Sequence, residues 1–417
     1  MTEILQTITS TLSSSWIILS DNLPVILPSL VIALLLGLFI TPFIPRLAYK
    51  LGAIDLPGKL RSRTDKTAER RIHTSATPKL GGLAMSIALI ASLLLTGNPS
   101  LRPGIIIGIV IITIVGILDD IYELSGKWQL VGQVLAALVV VLSGVTLTYI
   151  QIAGIHIDLT QIAYTLDLGF FSHEFFFPAD LISILWIVGM INIINWVGGI
   201  DGLNGFVSAV IALAMLVLSV QSGNILLACA IAAFLGSILG VLAYNYPPAH
   251  IFYGSAGDFL NGFLIAVFSI LQLSKMTTAV IIIGLPLIDA LIVILVRLWK
   301  NPKIISKPWK LLEISDKNHF HHRLMAAGFG VKSVLAIEVS ITLILSVLAL
   351  SLSSINTQYI LLLGSVVALI AIFAFLAVGA AYVKNRQAEI DANAPKEAEV
   401  KIREVGKEER PEDKYAY

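Results

Sequence analysis

Four short runs of this chain concentrate residue types that handle phosphate: GILDDIYELSGK from Gly116, NIINWVGGIDGLNG from Asn192, YNYPPAHIFYGSAGD from Tyr244 and DKNHFHHRL from Asp316. In the first, Asp119 and Asp120 are adjacent carboxylates, followed by Lys127. Carboxylates can hold a hard cation or orient a phosphate, and a lysine can neutralise one. In the second, Asn192 and Asn195 stand at i,i+3 spacing on one helix face. Gly198-Gly199, Asp201, Gly202 and Gly205 then make a tight turn whose backbone could meet a phosphate or nucleotide. The third run opens with Tyr244-Asn245, breaks at Pro247-Pro248, and closes on Gly254, Ser255, Gly257 and Asp258, a helix start suited to an anion. The fourth places His319, His321, His322 and Arg323 together near Lys317, a set of donors for a diphosphate.

Each run also has a plainer explanation. The aspartate pair could simply end a helix in water, and the glycines could serve close helix packing. Asp258 could be an N-cap. The three histidines could ligate a transition metal, but the oxygen-rich Asp and Asn set elsewhere favours magnesium chemistry.

The elements that position these runs follow from composition. Hydrophobic residues make up 57% of the 417 residues, charged residues only 13%, and mean hydropathy is +0.88, which excludes a soluble domain. The expected fold is all-α, a polytopic membrane bundle. Apolar stretches near the ~20 residues needed to cross a bilayer occur at 25–44, 80–97, 103–118, 129–149, 181–197, 203–220, 225–243, 259–274, 279–297, 332–352 and 359–382. They predict about eleven spans. Residues 4–20 read as an amphipathic segment on the outer surface, with no cleaved leader. Cys229, the single cysteine, falls within a span and has no disulfide partner in the chain.

The basic loop holding Arg46, Lys59, Arg61, Arg70, Arg71 and Lys79, and the later one holding Lys300, Lys303, Lys307 and Lys310, belong in the cytoplasm. Residues 150–180 carry Asp158, Asp167, Glu174 and Asp180 but no Lys or Arg, and belong outside. Eleven spans then put the N-terminus outside and the C-terminus in the cytoplasm, with all four runs on the cytoplasmic side. A membrane domain is expected over 1–384 and a mobile, charged cytoplasmic tail over 385–417. A transporter is the reading from another class. Transporters, however, place polar sites near the bilayer midplane, often with repeat symmetry, whereas these runs gather at one surface.

Taken in order, the runs resemble the polyprenyl-phosphate N-acetylhexosamine-1-phosphate transferases, glycosyltransferase family 4. The likeness runs from about Asp55 to Phe329. It includes Asp55-x-Pro57, Arg71-x-His73, Pro78-Lys-Leu-Gly-Gly82, Asp119-Asp120 with Lys127 and Gln133, Asn192-x-x-Asn195, Asp201-Gly202-Leu203, Asn245-x-Pro-Pro-Ala249, Asp289 and the histidine run. HFHHRL resembles most the branch that initiates O-antigen and teichoic acid.

The resemblance implies transfer of a sugar 1-phosphate from a UDP-N-acetylhexosamine to undecaprenyl phosphate, with release of UMP and with magnesium, or alternatively manganese, as cofactor. It places the protein in the bacterial cytoplasmic membrane among lipids, with no nucleic acid partner and with a homodimer as the candidate assembly. Implied catalytic residues are Asp119, Asp120, Lys127 and Asp201. Asn192, Asn195, Asn245, His319, His321, His322 and Arg323 would bind substrate, and Asp201, Ser255 and Asp258 would hold the metal. Two departures stand out. The family's Asp-Gly-x-Asp-Gly reads Gly198-Gly199-Ile200-Asp201-Gly202, and its Gly-Asp-x-Gly-Ser reads Gly254-Ser255-Ala256-Gly257-Asp258. Asp258, three positions beyond Ser255 on the same helical face, is the expected substitute for the lost ligand. A non-catalytic homologue that only binds nucleotide sugar or polyprenyl phosphate is the alternative.

Overall fold

The computed structural model describes residues 2–56, 76–97, 103–152, 155–167, 172–272, 276–302, 306–307, 309–313 and 318–352. The predicted span 359–382, the tail 385–417 and most of the first basic loop lie outside the described residues, as do Lys303, Asp316 and Lys317.

The chain is a helical bundle, as its periodicity and apolar content require. Its helices are α1 (Thr2–Ile40), α2 (Ile44–Leu51), α3 (Gly81–Leu95), α4 (Pro103–Tyr122), α5 (Gly126–Leu142), α6 (Ala179–Val197), α7 (Leu203–Gln221), α8 (Ile225–Asn245), α9 (Gly254–Leu271), α10 (Met276–Ile282), α11 (Gly284–Lys300), α12 (Lys310–Glu313), α13 (Phe320–Ala326) and α14 (Val331–Leu352). Among the described residues, seven helices are long and apolar enough to cross a membrane. An eighth is added if α10 and α11, bent by 72° at their junction, form one broken span. α3 and α5, at 15 and 17 residues, are apolar but shorter.

Residues 4–20 form the first part of α1, which continues without a break through Pro24 and Pro28. The bundle also carries three small antiparallel sheets. β1 (Ile54–Asp55) pairs with β2 (Thr77–Pro78), β3 (Tyr149–Ile152) with β4 (Ile155–Asp158), and β5 (Ile162–Asp167) with β6 (Ser172–Phe177). The last two hairpins lie between α5 and α6, where β-branched and aromatic residues favour strands. Asp180 fastens them to α6, accepting from the Thr146 hydroxyl at 2.8 Å and the Phe176 N–H at 3.0 Å.

In lipid there is little hydrophobic force to join helices, so close backbone approach matters. α8 lies at the centre, against α1, α3 and α7. Its crossing with α1 runs over glycines: a Cβ on Gly236 would sit 2.2 Å from the Leu30 carbonyl oxygen, and one on Gly240 2.7 Å from the Gly37 Cα. α9 packs on α4 and α6 in the same manner, with Gly116 against Ala256 and Gly262 against Ile191. Polar pins add direction. Asn261 donates to Asn204 at 2.8 Å, and the Trp186 indole to the Ser269 hydroxyl at 2.9 Å.

Cys229 is buried in α8 and reports on this packing. Gly240→Leu should destabilise the fold by about 1–3 kcal/mol through overpacking, while Gly189→Leu, where a Cβ meets nothing within 4 Å, should not. The measurement is the temperature at which the Cys229 thiol becomes reactive in detergent.

Candidate active site

The connections α4–α5, α6–α7 and α8–α9 meet at one end of the bundle, and α13 docks against them. α4 delivers Asp119 and Asp120 in its last turn. Gly116, one turn earlier, lets α4 approach the start of α9, since a Cβ there would lie 2.2 Å from the Ala256 Cα. Asp120 is buried, and its carboxylate accepts from the Ser255 N–H at 2.9 Å and the Ala256 N–H at 3.3 Å. The anion-binding helix start read from GSAGD is therefore filled by the protein's own aspartate. Gly254 makes this contact, with φ at 67° and its missing Cβ 2.3 Å from Asp120 Oδ2. Asp119, half-buried beside it, accepts from the Ser255 hydroxyl and from Gln129 Nε2 at 2.8 Å.

Among the described residues, Lys79 brings a cation to this cluster, with its Nζ 3.9 Å from Asp120 Oδ1. Lys127 is exposed at the start of α5. Lys79 is placed by a pairing of 78–82 with 252–253: Phe252 N–H donates to the Pro78 carbonyl at 2.9 Å, Gly81 N–H to Phe252 at 2.9 Å, and Gly82 N–H to Tyr253 at 2.8 Å. This pairing holds Leu80 at φ 75°, a left-handed backbone uncommon for a branched residue. Burial raises the Tyr253 phenol well above its usual range, with the charge of Asp258 adding to the effect. It stays a neutral donor to the Ile238 carbonyl at 2.8 Å.

Two predicted substrate-binding amides are hydrogen-bonded within the protein. Asn192 and Gln133 exchange hydrogen bonds at 2.7 and 3.3 Å, and Asn192 also donates to the Val188 carbonyl at 2.8 Å. Asn245 accepts from the Gly202 N–H at 3.0 Å and donates to the Ile251 carbonyl at 2.8 Å. It ties the Gly198–Gly202 turn to the α8–α9 connection. Asp201 adds to this tie by accepting the Ala249 N–H at 3.0 Å. Asn195 lies half-buried on the last turn of α6. Asp258 is not an N-cap. α9 begins four residues earlier, and the Asp258 carboxylate points at Gly198 and lies within electrostatic reach of Asp120.

The histidine run folds as α13. His319 Nδ1 lies 2.8 Å from Asp289 Oδ2, and the other oxygen of Asp289 accepts the Phe320 N–H at 2.9 Å. Asp289 thus fixes the start of α13 and leaves His319 Nε2 for another partner. His319 and His321 are stacked at 5.7 Å, and His322 lies 4.3 Å from His321. His321 Nε2 faces Gly199, where a Cβ would lie 2.0 Å away. Arg297 stands 4.9 Å over the Trp196 ring, itself 5.8 Å from His319. Arg323 turns its Nε to the Asn318 carbonyl at 2.9 Å.

The structure therefore gathers Asp119, Asp120, Asp201, Ser255, Asp258, His319 and His321 at one end of the bundle. Lys79, Gln129, Trp196 and Arg297 were not singled out from the sequence as site residues, although Lys79 lies within Pro78-Lys-Leu-Gly-Gly82. Comparison with known proteins follows the same lines. A glycosyl transferase family 4 profile matches residues 103–273. The "Probable undecaprenyl-phosphate N-acetylglucosaminyl 1-phosphate transferase" of Bacillus subtilis is 32% identical over 344 residues, 81% of this chain and 87% of the relative. The chain belongs to glycosyl transferase family 4.

More distant relatives include the decaprenyl-phosphate N-acetylglucosaminephosphotransferase of Mycobacterium leprae, 26% identical over 68% of this chain and 75% of its own length. The phospho-N-acetylmuramoyl-pentapeptide-transferase of Halalkalibacterium halodurans is 26% identical over 78% of this chain and 95% of its own length. Family 4 enzymes are generally dependent on a divalent metal. Among the described residues no three His, Cys, Asp or Glu side chains converge as a ready-made cage. The oxygens present still fit a hard cation that takes one or two carboxylates and completes its shell with water and substrate phosphate. Asp119 and Ser255 are such donors, and Asp258 Oδ1 is enclosed with no hydrogen-bond partner.

Asp120→Ala should destabilise the protein by about 1–3 kcal/mol by stranding two buried N–H groups. Lys127→Ala should stay within about 0.5 kcal/mol of the parent. Thermal exposure of Cys229 checks both.

Proposed function

We propose that this family 4 protein transfers N-acetylhexosamine 1-phosphate from a UDP-N-acetylhexosamine to undecaprenyl phosphate, releasing UMP, at the cytoplasmic face of a bacterial inner membrane. The observation that carries this reading is the joining of the Asp119–Ser255–Asp120–Lys79 cluster to the Gly198–Asp201 turn and the histidine segment. One substrate is soluble and the other has its phosphate at the interface, so a site at the ends of membrane helices can reach both.

In this reading Asp119 orients the acceptor phosphate and takes up its proton where it carries one. An acceptor oxygen attacks the phosphorus that bears the sugar, and the bond to the UMP oxygen breaks. Such a transfer depends on positioning and charge neutralisation. Lys79 supplies positive charge in the role first assigned to Lys127. His321, His322 and Arg323 hold the diphosphate, and Asp289 positions His319. Magnesium, with manganese as the alternative, would be held by Asp258 and Asp201, the carboxylates at the Gly198–Asp201 turn, and would neutralise phosphate charge when bound.

Purified protein given undecaprenyl phosphate and UDP-N-acetylglucosamine should release UMP only with a divalent metal, and chelation should stop it. Asp119→Asn should lower kcat by about 100-fold or more, with the fold intact by Cys229 protection. Binding of nucleotide sugar without UMP release, across a panel of UDP sugars and metals, would leave a binding protein on an enzyme scaffold.

A further inference from the structure

Gly198 ends α6 with φ −69° and ψ 23°, a backbone open to any L-residue. Its lack of a side chain is therefore not a conformational requirement. What it provides is room for the Asp258 carboxylate as placed: a Cβ at this position would lie 2.4 Å from Asp258 Oδ2 and 3.2 Å from its Cγ, so a side chain there would displace that carboxylate. The Asp258 carboxylate occupies the volume into which a side chain at 198 would project. Its other oxygen, Oδ1, is enclosed and has no hydrogen-bond partner. An enclosed carboxylate oxygen without a donor is costly unless a cation or donor arrives.

Ser255 and Asp258 occupy the same helical face, yet they turn to different neighbours. Ser255 gives its hydroxyl to Asp119, while Asp258 reaches the Gly198 turn. Two carboxylates facing each other would repel unless a cation lay between them, and the serine hydroxyl removes that repulsion at Asp119.

We propose that Gly198 and Asp258 are one functional unit: Asp258 delivers, from α9, the cation-binding carboxylate of the Gly198–Asp201 turn, and Gly198 is the clearance it requires. Asp258 thereby stands in for position 198 and not for position 255. The exchange rests on the transferase reading for its place in catalysis, but its geometry is independent of the substrate.

The test uses the full chain in detergent, with two readouts: Mn²⁺ affinity from the signal of the free ion in electron paramagnetic resonance, and UMP release. Asp258→Asn keeps the shape and removes the charge, and should weaken Mn²⁺ binding about tenfold or more. Gly198→Asp alone should also weaken it, because two carboxylates then compete for one volume. The exchanged variant, Gly198→Asp with Asp258→Ser, should recover to within about threefold of the parent in both readouts. Unchanged Mn²⁺ affinity in Asp258→Asn, or an exchanged variant no better than the worse single one, would overturn the proposal. Monodisperse elution and protection of Cys229 establish that each variant is folded. If the parent binds Mn²⁺ but releases no UMP from any UDP sugar, the transferase reading fails, and the Mn²⁺ series still decides the Gly198–Asp258 unit.

Discussion

A buried carboxylate facing a helix start carries much of the architecture at this end of the bundle. Asp120 sits at the end of α4, out of water, where an ionised group needs compensation. The first N–H groups of α9 and the ammonium of Lys79 supply part of it. This single contact fixes the end of α4 against the start of α9, and with it the neighbouring Asp119 and Ser255. Lys79 reaches the same carboxylate because residues 78–82 pair with 252–253. Three stretches distant in sequence are thus held to one charged atom group.

Such contacts need backbones closer than ordinary side chains allow. Gly116, Gly254, Gly198 and Gly199 each open the space into which a functional group of another segment fits: Ala256, Asp120, Asp258 and His321 respectively. The glycines therefore shape the site through the groups they admit. Their arrangement also explains how the histidine segment is seated. Asp289 holds its start from α11, and the Gly199 turn receives His321.

Two kinds of polar residue coexist here and differ in what their partners leave over. Asn192 and Asn245 spend both ends of their amides on other protein groups, so they set the spacing of α5, α6 and the α8–α9 connection. Asp258 keeps an enclosed oxygen without a hydrogen-bond partner, which a cation can use. The distinction separates amides satisfied within the protein from a carboxylate oxygen that is not.

Much was legible in the sequence. Apolar runs of bilayer length dictate a helical membrane protein, because only satisfied backbones survive in lipid. The order of the four polar runs gives the family, and ten of the eleven predicted stretches fall on helices or on the bent α10–α11 pair. The hairpins between α5 and α6 and the unbroken α1 were not legible, since short strands and helix continuity depend on neighbours. Residue type states what a side chain can donate or accept. Which oxygen remains unclaimed is set by groups such as Ser255, 135 positions from Asp120. The tertiary structure alone decided that Lys79 and not Lys127 faces the carboxylates, that Asn245 bonds to Gly202 and Ile251, and that Asp258 turns to Gly198. The physical reason is that these outcomes follow from helix packing at glycine contacts, which residue identity permits but does not locate.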